Sequence, residues 1–227
     1  MAETWYLLQC GPREAAENMA LDEALLESAS DLGKTVLRFY SWTEPAASFG
    51  YFQKFSEVEK LTRLRPLVRR PTAGGIVPHD ADWTYSLIFP PSDPWYELSA
   101  RESYRRVHEW IRDAFAKLNV LTEVAASVRR ALPGQCFEGH EQSDLLWHGR
   151  KIGGAAQRRN RHGLLIQGSV QPPPNVAKAD WQKAMCDVAH FRWNANWQNF
   201  EPETTLNERA GHLAKIKYAT ETFLKQR

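Results

Sequence analysis

The sequence predicts an α+β fold in which helices pack on a large, mostly antiparallel mixed sheet. Several short stretches rich in β-forming residues, such as Trp83 to Phe89, are separated by turns of glycine and proline. One long stretch, Leu98 to Leu118, repeats apolar residues at helical spacing. Helices and hairpins are mixed without a regular alternation of strand and helix along the chain, which favours this α+β fold.

The composition is that of an ordinary globular protein, with 43% apolar and 25% charged residues in a chain of 227. This length suits a single domain with a sizeable core. The net charge of +2 is too small to predict nucleic-acid binding. Three widely separated cysteines predict neither a disulfide framework nor a zinc site, and no apolar run is long enough for a membrane span. We therefore expect a cytoplasmic protein with no metal site.

The amino-terminal part is predicted to form a strand, a helix and two further strands: Thr4 to Gln9, Pro12 to Ser30, Thr35 to Tyr40 and Ala46 to Gly50. In the helix, Asn18 and Asp22 fall on the same face as two leucines. Polar groups on an apolar stripe are usually buried hydrogen-bond anchors and less often contact a ligand. We expect the anchoring role here.

In residues 66–80, two arginines directly precede a predicted glycine-containing turn. Arg69 and Arg70 come directly before Pro71-Thr-Ala-Gly-Gly, and guanidinium groups with backbone N–H donors suit the oxygens of an anion. A β-turn flanked by surface arginines is the alternative. His79 and Asp80 could suggest a catalytic pair, but adjacent residues on an extended chain point to opposite faces. Structural roles are therefore expected for both.

The second half of the chain is predicted to contain four strands, two helices and two loops. The strands are Val120 to Val124, Ser143 to Trp147, Lys151 to Arg158 and Leu164 to Val170; the helices are Lys178 to Val188 and Glu203 to Lys225; an aromatic loop holds Trp193 and Trp197. The other loop, Arg129 to Glu141, contains Cys136. A cysteine is more often inert than reactive, but a nearby ammonium would lower its pKa.

The stretch Gly149-Arg-Lys-Ile-Gly-Gly-Ala-Ala-Gln places one lysine, Lys151, among very small residues. Glycine lets backbone come close to a ligand, so this pattern favours a strand that lines a narrow slot. A solvated glycine-rich hairpin with a surface lysine is the alternative. The rest of the chain has to decide between them.

Three ordered motifs together carry a resemblance to a known family. They are Asn18-Met-Ala-Leu-Asp-Glu-Ala, Arg69-Arg-Pro-Thr-Ala-Gly-Gly-Ile-Val-Pro-His-Asp, and Asp144 through Gln157 with Gln167-Gly-Ser. Over about residues 3–190 the chain resembles the biotin/lipoate protein ligase catalytic domain. The resemblance implies an α+β fold related to class II synthetases and the attachment of a lipoyl-type acyl chain to a lysine of a carrier domain. Residues 191–227 would be a helical extension of one catalytic domain.

The resemblance also implies the site residues. Cys136 and Lys151 would be catalytic. The substrate-binding set would be Arg69, Arg70, Thr72, Ala73, Gly74, Gly75, Val77, His79, Asp80, Asp144, Gly153, Gly154, Ala155, Gln167, Gly168 and Ser169.

Two branches of this family use different chemistry. Lipoate–protein ligases use ATP and Mg²⁺, whereas octanoyltransferases take octanoate from acyl carrier protein through a cysteine thioester and need no cofactor. Cys136-Phe137 lies where the cysteine branch has its nucleophile, which favours octanoyl transfer. The glycine loop is more like that of the ligases. The sequence stops short of the C-terminal accessory domain of the longer ligases, so a ligase would be expected to need a separate partner chain.

Two departures from the family pattern keep a third alternative open. Ala73 replaces a usual glycine, and Gln167 stands where histidine is typical. These changes could weaken activity or alter the substrate, and they motivate a lipoyl-binding member without turnover as a rival function.

The expected partners are an acidic lipoyl carrier domain as acceptor and acyl carrier protein as possible donor. The cations that would attract them bracket the proposed slot and are Arg150, Lys151, Arg158, Arg159 and Arg161. Complementary charge mainly raises the rate of encounter.

Overall fold

The computed structural model describes residues 3–129 and 139–226 of the chain. The strands are β1 Glu3–Arg13, β2 Val36–Trp42, β3 Ala46–Phe49, β4 Leu67–Arg69, β5 Val77–His79, β6 Trp83–Phe89, β7 Glu123–Val124, β8 Leu145–Trp147, β9 Arg150–Asn160, β10 Gly163–Val170 and β11 Ala195–Asn199. The helices are α1 Ala15–Glu27, α2 Ala29–Leu32, α3 Phe55–Leu61, α4 Pro94–Glu97, α5 Ala100–Lys117, α6 Lys178–Trp193, α7 Thr204–Leu213 and α8 Glu221–Leu224, with a π-helical turn at Ala214–Tyr218.

Within the described residues, the strands form a main sheet of eight in the order β11-β1-β2-β6-β10-β9-β8-β7. β1 is parallel to both of its neighbours, and the other pairings in this sheet are antiparallel. The predicted mostly antiparallel mixed sheet is therefore confirmed. In a small second sheet, β4-β3-β5, the central strand β3 pairs on one side with the strand before the glycine turn and on the other side with the strand after it.

The main sheet buries apolar side chains on both faces. From β6, Trp83, Tyr85, Leu87 and Phe89 face a core shared with α5 and α6, as their alternation predicts. Ile88 points to the opposite face, where α1 and α7 pack. β9 and β10, which carry Lys151 and Gln167, belong to this main sheet between the two helical layers.

The prediction that a helix opens at Pro12 is wrong. β1 continues to Arg13, and α1 begins at Ala15 after a capping box formed by Glu14 and Glu17. β11 pairs with β1 only as far as Leu7, so Pro12, which has no N–H, lies beyond that ladder. A proline can therefore stay in the strand here.

The segment after residue 190 is not purely helical, contrary to the prediction. Trp193 ends α6, and Trp197 lies in β11, where it pairs with Trp5 instead of sitting in a loop. The long helix predicted from Glu203 to Lys225 is broken by the π-helical turn, from which Lys217 and Tyr218 both reach Glu23 of α1. In the described part of the chain, no helix combines the length and apolarity needed to cross a bilayer.

Candidate functional site

A cavity of about 260 Å³ lies between the main sheet and the three-stranded sheet. Its wall is mostly apolar and includes several of the smallest residues of β9 and β10. The residues that line it are Met19, Tyr40, Trp42, Ser48, Arg70, Gly74, Gly75, Ile76, Val77, His79, Thr84, Tyr104, Glu141, Lys151, Gly154, Ala155, Ala156, Gln167, Gly168 and Ser169. It is somewhat smaller than typical ligand pockets of about 300–1,000 Å³, which suits a slender ligand.

The structure brings most of the predicted site residues together around this cavity. Those that line it are Arg70, Gly74, Gly75, Val77, His79, Lys151, Gly154, Ala155, Gln167, Gly168 and Ser169. Those that do not are Arg69, Thr72, Ala73, Asp80, Asp144 and Gly153. Cys136 lies outside the described residues.

Lys151, near the start of β9, presents a fixed positive charge to the cavity. Its Nζ lies 2.7 Å from Oδ2 of Asp144, which is fully buried just before β8. The same carboxylate accepts hydrogen bonds from the backbone N–H of Glu141, at 2.7 Å, and from the hydroxyl of Tyr104. Asp144 does not line the cavity and acts on it by positioning the Lys151 ammonium. The Lys151 side chain itself is 18% exposed.

Two titratable side chains of α5 beside this ion pair, Tyr104 and His108, are uncharged. Burial, and then the nearby Asp144, raise the pKa of Tyr104 far above its usual range, so the phenol stays protonated and donates. Burial lowers the pKa of His108 to about 4, and its Nδ1 lies 2.9 Å from the carbonyl oxygen of Tyr104. With both groups neutral at pH 7, Lys151 is the cation that balances Asp144.

Gly154 leaves the space that Lys151 occupies. A Cβ at this position would lie 3.0 Å from Cε and 3.1 Å from Nζ of Lys151, and 3.5 Å from Oδ1 of Asp144. A side chain here would therefore displace the ammonium. The interpretation that small residues of β9 leave open space is therefore confirmed at Gly154. Part of that space belongs to the cavity, and the Lys151 side chain occupies the rest.

Gly154→Ala is expected to lower the activity of this site roughly 10- to 100-fold, because small displacements of a catalytic group are costly. Stability should change little, since the lysine end is flexible and can shift. An assay of the activity that the family resemblance implies, together with a thermal melt, would test both statements. Gly11→Ala is a suitable control, because a Cβ at this exposed position of β1 would have no atom within 4 Å. Unchanged activity in Gly154→Ala would show that the ammonium tolerates displacement.

Gln167 on β10 joins helix α1 to the glycine loop. Its amide NH₂ donates to Oδ2 of Asp22 at 2.7 Å, and its amide oxygen accepts from the hydroxyl of Thr72 at 2.7 Å. Asp22 in turn lies 2.6 Å from the buried guanidinium of Arg38, which also donates to the side chain of Asn18. The anchoring role predicted for Asn18 and Asp22 is confirmed. Glutamine fits this position because it offers a donor and an acceptor at once.

The two arginines before the glycine turn donate hydrogen bonds to backbone carbonyl oxygens instead of forming an exposed anion-binding site. Arg69 is fully buried and donates to the carbonyl oxygens of Tyr51, Gln53, Phe223 and Leu224. Arg70 donates to the carbonyl oxygens of Ala73 and Gly75, which shapes the turn itself. Buried carbonyls need such donors, and this requirement outweighs the affinity of guanidinium for an external anion.

His79 is paired with Asp82, not with its neighbour Asp80. Asp80 is exposed and lies away from the cavity, as expected for the residue on the opposite face of an extended chain. His79 Nδ1 lies 2.9 Å from Asp82 Oδ2, and its Nε2 lies 2.8 Å from Ser48 Oγ. The substrate-binding role assigned to Asp80 is therefore not supported.

The predicted rim of cations is divided between the two faces of the sheet. Arg158 lies 3.9 Å from Glu23 on the side of α1, whereas Arg159 donates to the carbonyl oxygen of Leu98 on the side of α5. Successive residues of β9 alternate in direction, so these two arginines cannot act as one patch. The prediction that they jointly bracket the slot is wrong.

Sequence reasoning missed part of the cavity wall: Met19, Tyr40, Trp42, Ser48, Ile76, Thr84, Tyr104, Glu141 and Ala156. Met19, Ile76 and Ala156 lie within motifs that were recognised, so adjacency could have pointed to them. Tyr104 falls within the stretch Leu98 to Leu118, whose spacing predicted an apolar stripe, and its hydroxyl was the signal that it also had a polar partner. Ser48 lies on the second sheet and Trp42 stacks on His79 of that sheet, and no sequence pattern predicted that β3, β4 and β5 would pair.

Comparison with known proteins shows which family the chain belongs to. Residues 14–182 match the family model of the lipoyl protein ligase A/B catalytic domain. The chain is 39% identical over 184 residues to octanoyltransferase LipM of Carboxydothermus hydrogenoformans, covering 78% of this chain and 68% of that protein. It is 34% identical over 184 residues to octanoyltransferase LipM of Staphylococcus aureus, covering 75% and 66%. The chain thus spans about two thirds of the length of these relatives.

A solved structure supports the fold independently. The bi-partite lipoate protein ligase of Thermoplasma acidophilum, whose structure was reported with its E2 lipoyl domain, superimposes with a TM-score of 0.77. The match covers 99% of this chain and 97% of that chain at 19% identity. At this level of identity the similarity shows the fold alone, which is that of the predicted ligase family.

Proposed function

Because the chain belongs to the lipoyl protein ligase A/B catalytic domain family, we propose that it is an octanoyltransferase of protein lipoylation. It moves an octanoyl group from a thioester donor to a lysine of a lipoyl carrier domain. The observation that carries this proposal is an ammonium, Lys151, fixed at the wall of a narrow and mostly apolar cavity. The octanoyltransferase relatives support the same reaction class.

The cavity suits a medium acyl chain with its carbonyl directed to Lys151. Gly154, Ala155 and Ala156 give β9 a smooth surface against which methylene groups can pack. The ammonium of Lys151 would donate to the carbonyl oxygen and stabilise the negative charge that forms on it during attack. Asp144 holds that ammonium in place, so little reorganisation is needed during the reaction.

Cys136 is the proposed nucleophile. Its thiolate would attack the donor thioester, form an octanoyl-enzyme thioester and release the donor thiol; the acceptor lysine amine would then attack and release an amide and the free thiol of Cys136. The two thioesters are similar in energy, so this route needs no ATP. A nearby ammonium favours the thiolate form.

The acidic acceptor and donor proteins remain part of the proposal. A lipoyl carrier domain is the acceptor, and acyl carrier protein is the donor that fits a thioester route. The ligase alternative, with ATP and Mg²⁺, would need cations for the phosphates near the site. Arg69 and Arg70 donate to backbone carbonyls instead, which gives that alternative no support from their geometry.

Cys136→Ala is expected to abolish octanoyl transfer from octanoyl-acyl carrier protein to a lipoyl domain. Intact-mass spectrometry of the lipoyl domain measures the transfer, and the parent protein should itself gain an octanoyl mass on Cys136 in the absence of ATP. Cys186→Ala is the matched control, because burial raises the pKa of the Cys186 thiol to about 12 and makes it a poor nucleophile. It should transfer octanoate at the rate of the parent protein.

The same assay separates the rival functions. If Cys136→Ala still modifies the lipoyl domain from lipoate, ATP and Mg²⁺ at the parent's rate, the protein is a ligase. If the folded parent protein modifies no lipoyl domain from either donor, it is a binding protein without turnover.

A further inference from the structure

Three polar side chains, of which Ser48 and His79 line the cavity, form a hydrogen-bonded chain that the proposed transfer does not use. Ser48 lies on β3, His79 ends β5, and Asp82 precedes β6. Ser48 Oγ is 2.8 Å from His79 Nε2, and His79 Nδ1 is 2.9 Å from Asp82 Oδ2. A hydroxyl, an imidazole and a carboxylate connected in this order are the arrangement that activates a serine nucleophile.

The hydrogen bonds determine where the protons lie. An ionised carboxylate can only accept, so Nδ1 of His79 carries the proton that is shared with Asp82. Nε2 is then the acceptor, and the Ser48 hydroxyl donates to it. His79 is thus in the tautomer that can take the proton of Ser48.

The neighbouring residues hold this tautomer and orientation. The indole of Trp42 stacks on the His79 ring, with centroids 3.9 Å apart and planes 19° from parallel. Oδ2 of Asp82 also accepts from Ser169 at 2.6 Å and from Thr84 at 3.0 Å, and this carboxylate is buried. The His79 imidazole is therefore held in orientation by Trp42 against its ring face and by Asp82 at its Nδ1.

The positive charge on the serine side favours removal of the Ser48 proton. Nη1 of Arg70 lies 3.3 Å from Ser48 Oγ, so a guanidinium faces the oxygen as it loses its proton. Ser48, His79 and Arg70 all line the cavity that also contains Lys151. An acyl group in this cavity would share the same small space as the serine hydroxyl.

From this geometry we infer that Ser48 is a second nucleophile, which hydrolyses medium-chain acyl thioesters and esters. The inference takes from the proposed function only that the cavity accepts such acyl chains. Ser48 Oγ bonds to the acyl carbon while His79 Nε2 takes its proton, and the leaving thiol or alcohol departs with that proton. Water then adds with His79 as base, the bond to Ser48 breaks, and the proton returns to Ser48. The products are a carboxylic acid and a thiol or alcohol.

The test uses the full chain carrying Cys136→Ala, which removes the thiol of the transfer route. This protein should hydrolyse p-nitrophenyl octanoate, and adding Ser48→Ala or His79→Ala should reduce the rate on the order of 100-fold or more. A fluorophosphonate probe should attach to the Cys136→Ala protein, and peptide mass spectrometry should locate it on Ser48. Ser86→Ala, which removes another buried serine hydroxyl that donates to a carboxylate, is the matched control.

Three results would overturn the inference: no hydrolysis and no adduct in the folded Cys136→Ala protein, an adduct on another residue, or hydrolysis that survives Ser48→Ala. If Ser48→Ala fails to fold, the location of the adduct in the Cys136→Ala protein decides the question. No carrier domain is present and Cys136 is absent, so a negative result here leaves octanoyl transfer untouched. Conversely, a failure of octanoyl transfer would not change this measurement.

Discussion

Replacing Lys151 with alanine is expected to lower the rate of octanoyl transfer about 100- to 1,000-fold, the usual loss when one oxyanion donor is removed. The reason is geometric: the Lys151 ammonium is held 2.7 Å from Asp144 and is presented to the cavity. After the substitution, Asp144 keeps its hydrogen bonds from Tyr104 and Glu141 but loses its counter-ion. Single-turnover intact-mass measurements of the lipoyl domain would give the rate.

Two further variants make this result interpretable. Arg150→Ala removes an exposed neighbouring cation and should leave the rate at saturating carrier unchanged, which separates local chemistry from net charge. Lys151→Arg keeps the charge, but the larger guanidinium has to fit over Gly154, so it should rescue only a small part of the rate. A Lys151→Ala protein that is folded and transfers octanoate at the parent's rate would contradict the proposed role of the ammonium.

Asp22→Ala is expected to destabilise the protein by about 3–5 kcal/mol, the usual cost of leaving a buried charge without its partner. Asp22 and Arg38 are both completely buried and 2.6 Å apart. The carboxylate also accepts from Ser86 and Gln167, so several buried donors would lose their partner together. Urea unfolding monitored by tryptophan fluorescence would measure the free energy of unfolding.

The exposed ion pair between Glu27 and Arg209 provides the control. Their atoms are also close, at 2.7 Å, but both side chains are substantially exposed. Glu27→Ala should therefore cost no more than about 1 kcal/mol. If Asp22→Ala and Glu27→Ala lowered the free energy of unfolding equally, burial would not determine how much the Asp22–Arg38 ion pair contributes to stability.

The sequence was most informative where a local pattern determines the structure. The apolar stripe of α5 and the hairpin of β9 and β10 follow from periodicity and turn residues, and the structure confirms both. The family predicted from three ordered motifs is confirmed by the match over residues 14–182. Lys151 could also be identified from a local pattern, because a single cation among glycines is visible in the sequence itself.

Contacts between distant segments could not be predicted in this way. The link from His79 to Ser48 requires the small second sheet, and the bond from Tyr104 to Asp144 joins α5 to the loop before β8. Arg69 and Arg70 were assigned to a ligand because their backbone partners were unknown. In each case the partner was fixed by tertiary packing and not by spacing along the chain.

Arg69 has a consequence for how members of this family can be recombined. It is the last residue of β4, directly before the glycine turn, and it donates to the carbonyl oxygens of Phe223 and Leu224. The family match ends at residue 182, so the support of this turn comes partly from outside the matched region. A chimera that kept residues 14–182 and exchanged the rest would preserve every recognisable motif. The backbone carbonyls that hold Arg69, next to the loop that lines the cavity, would still come from a different segment.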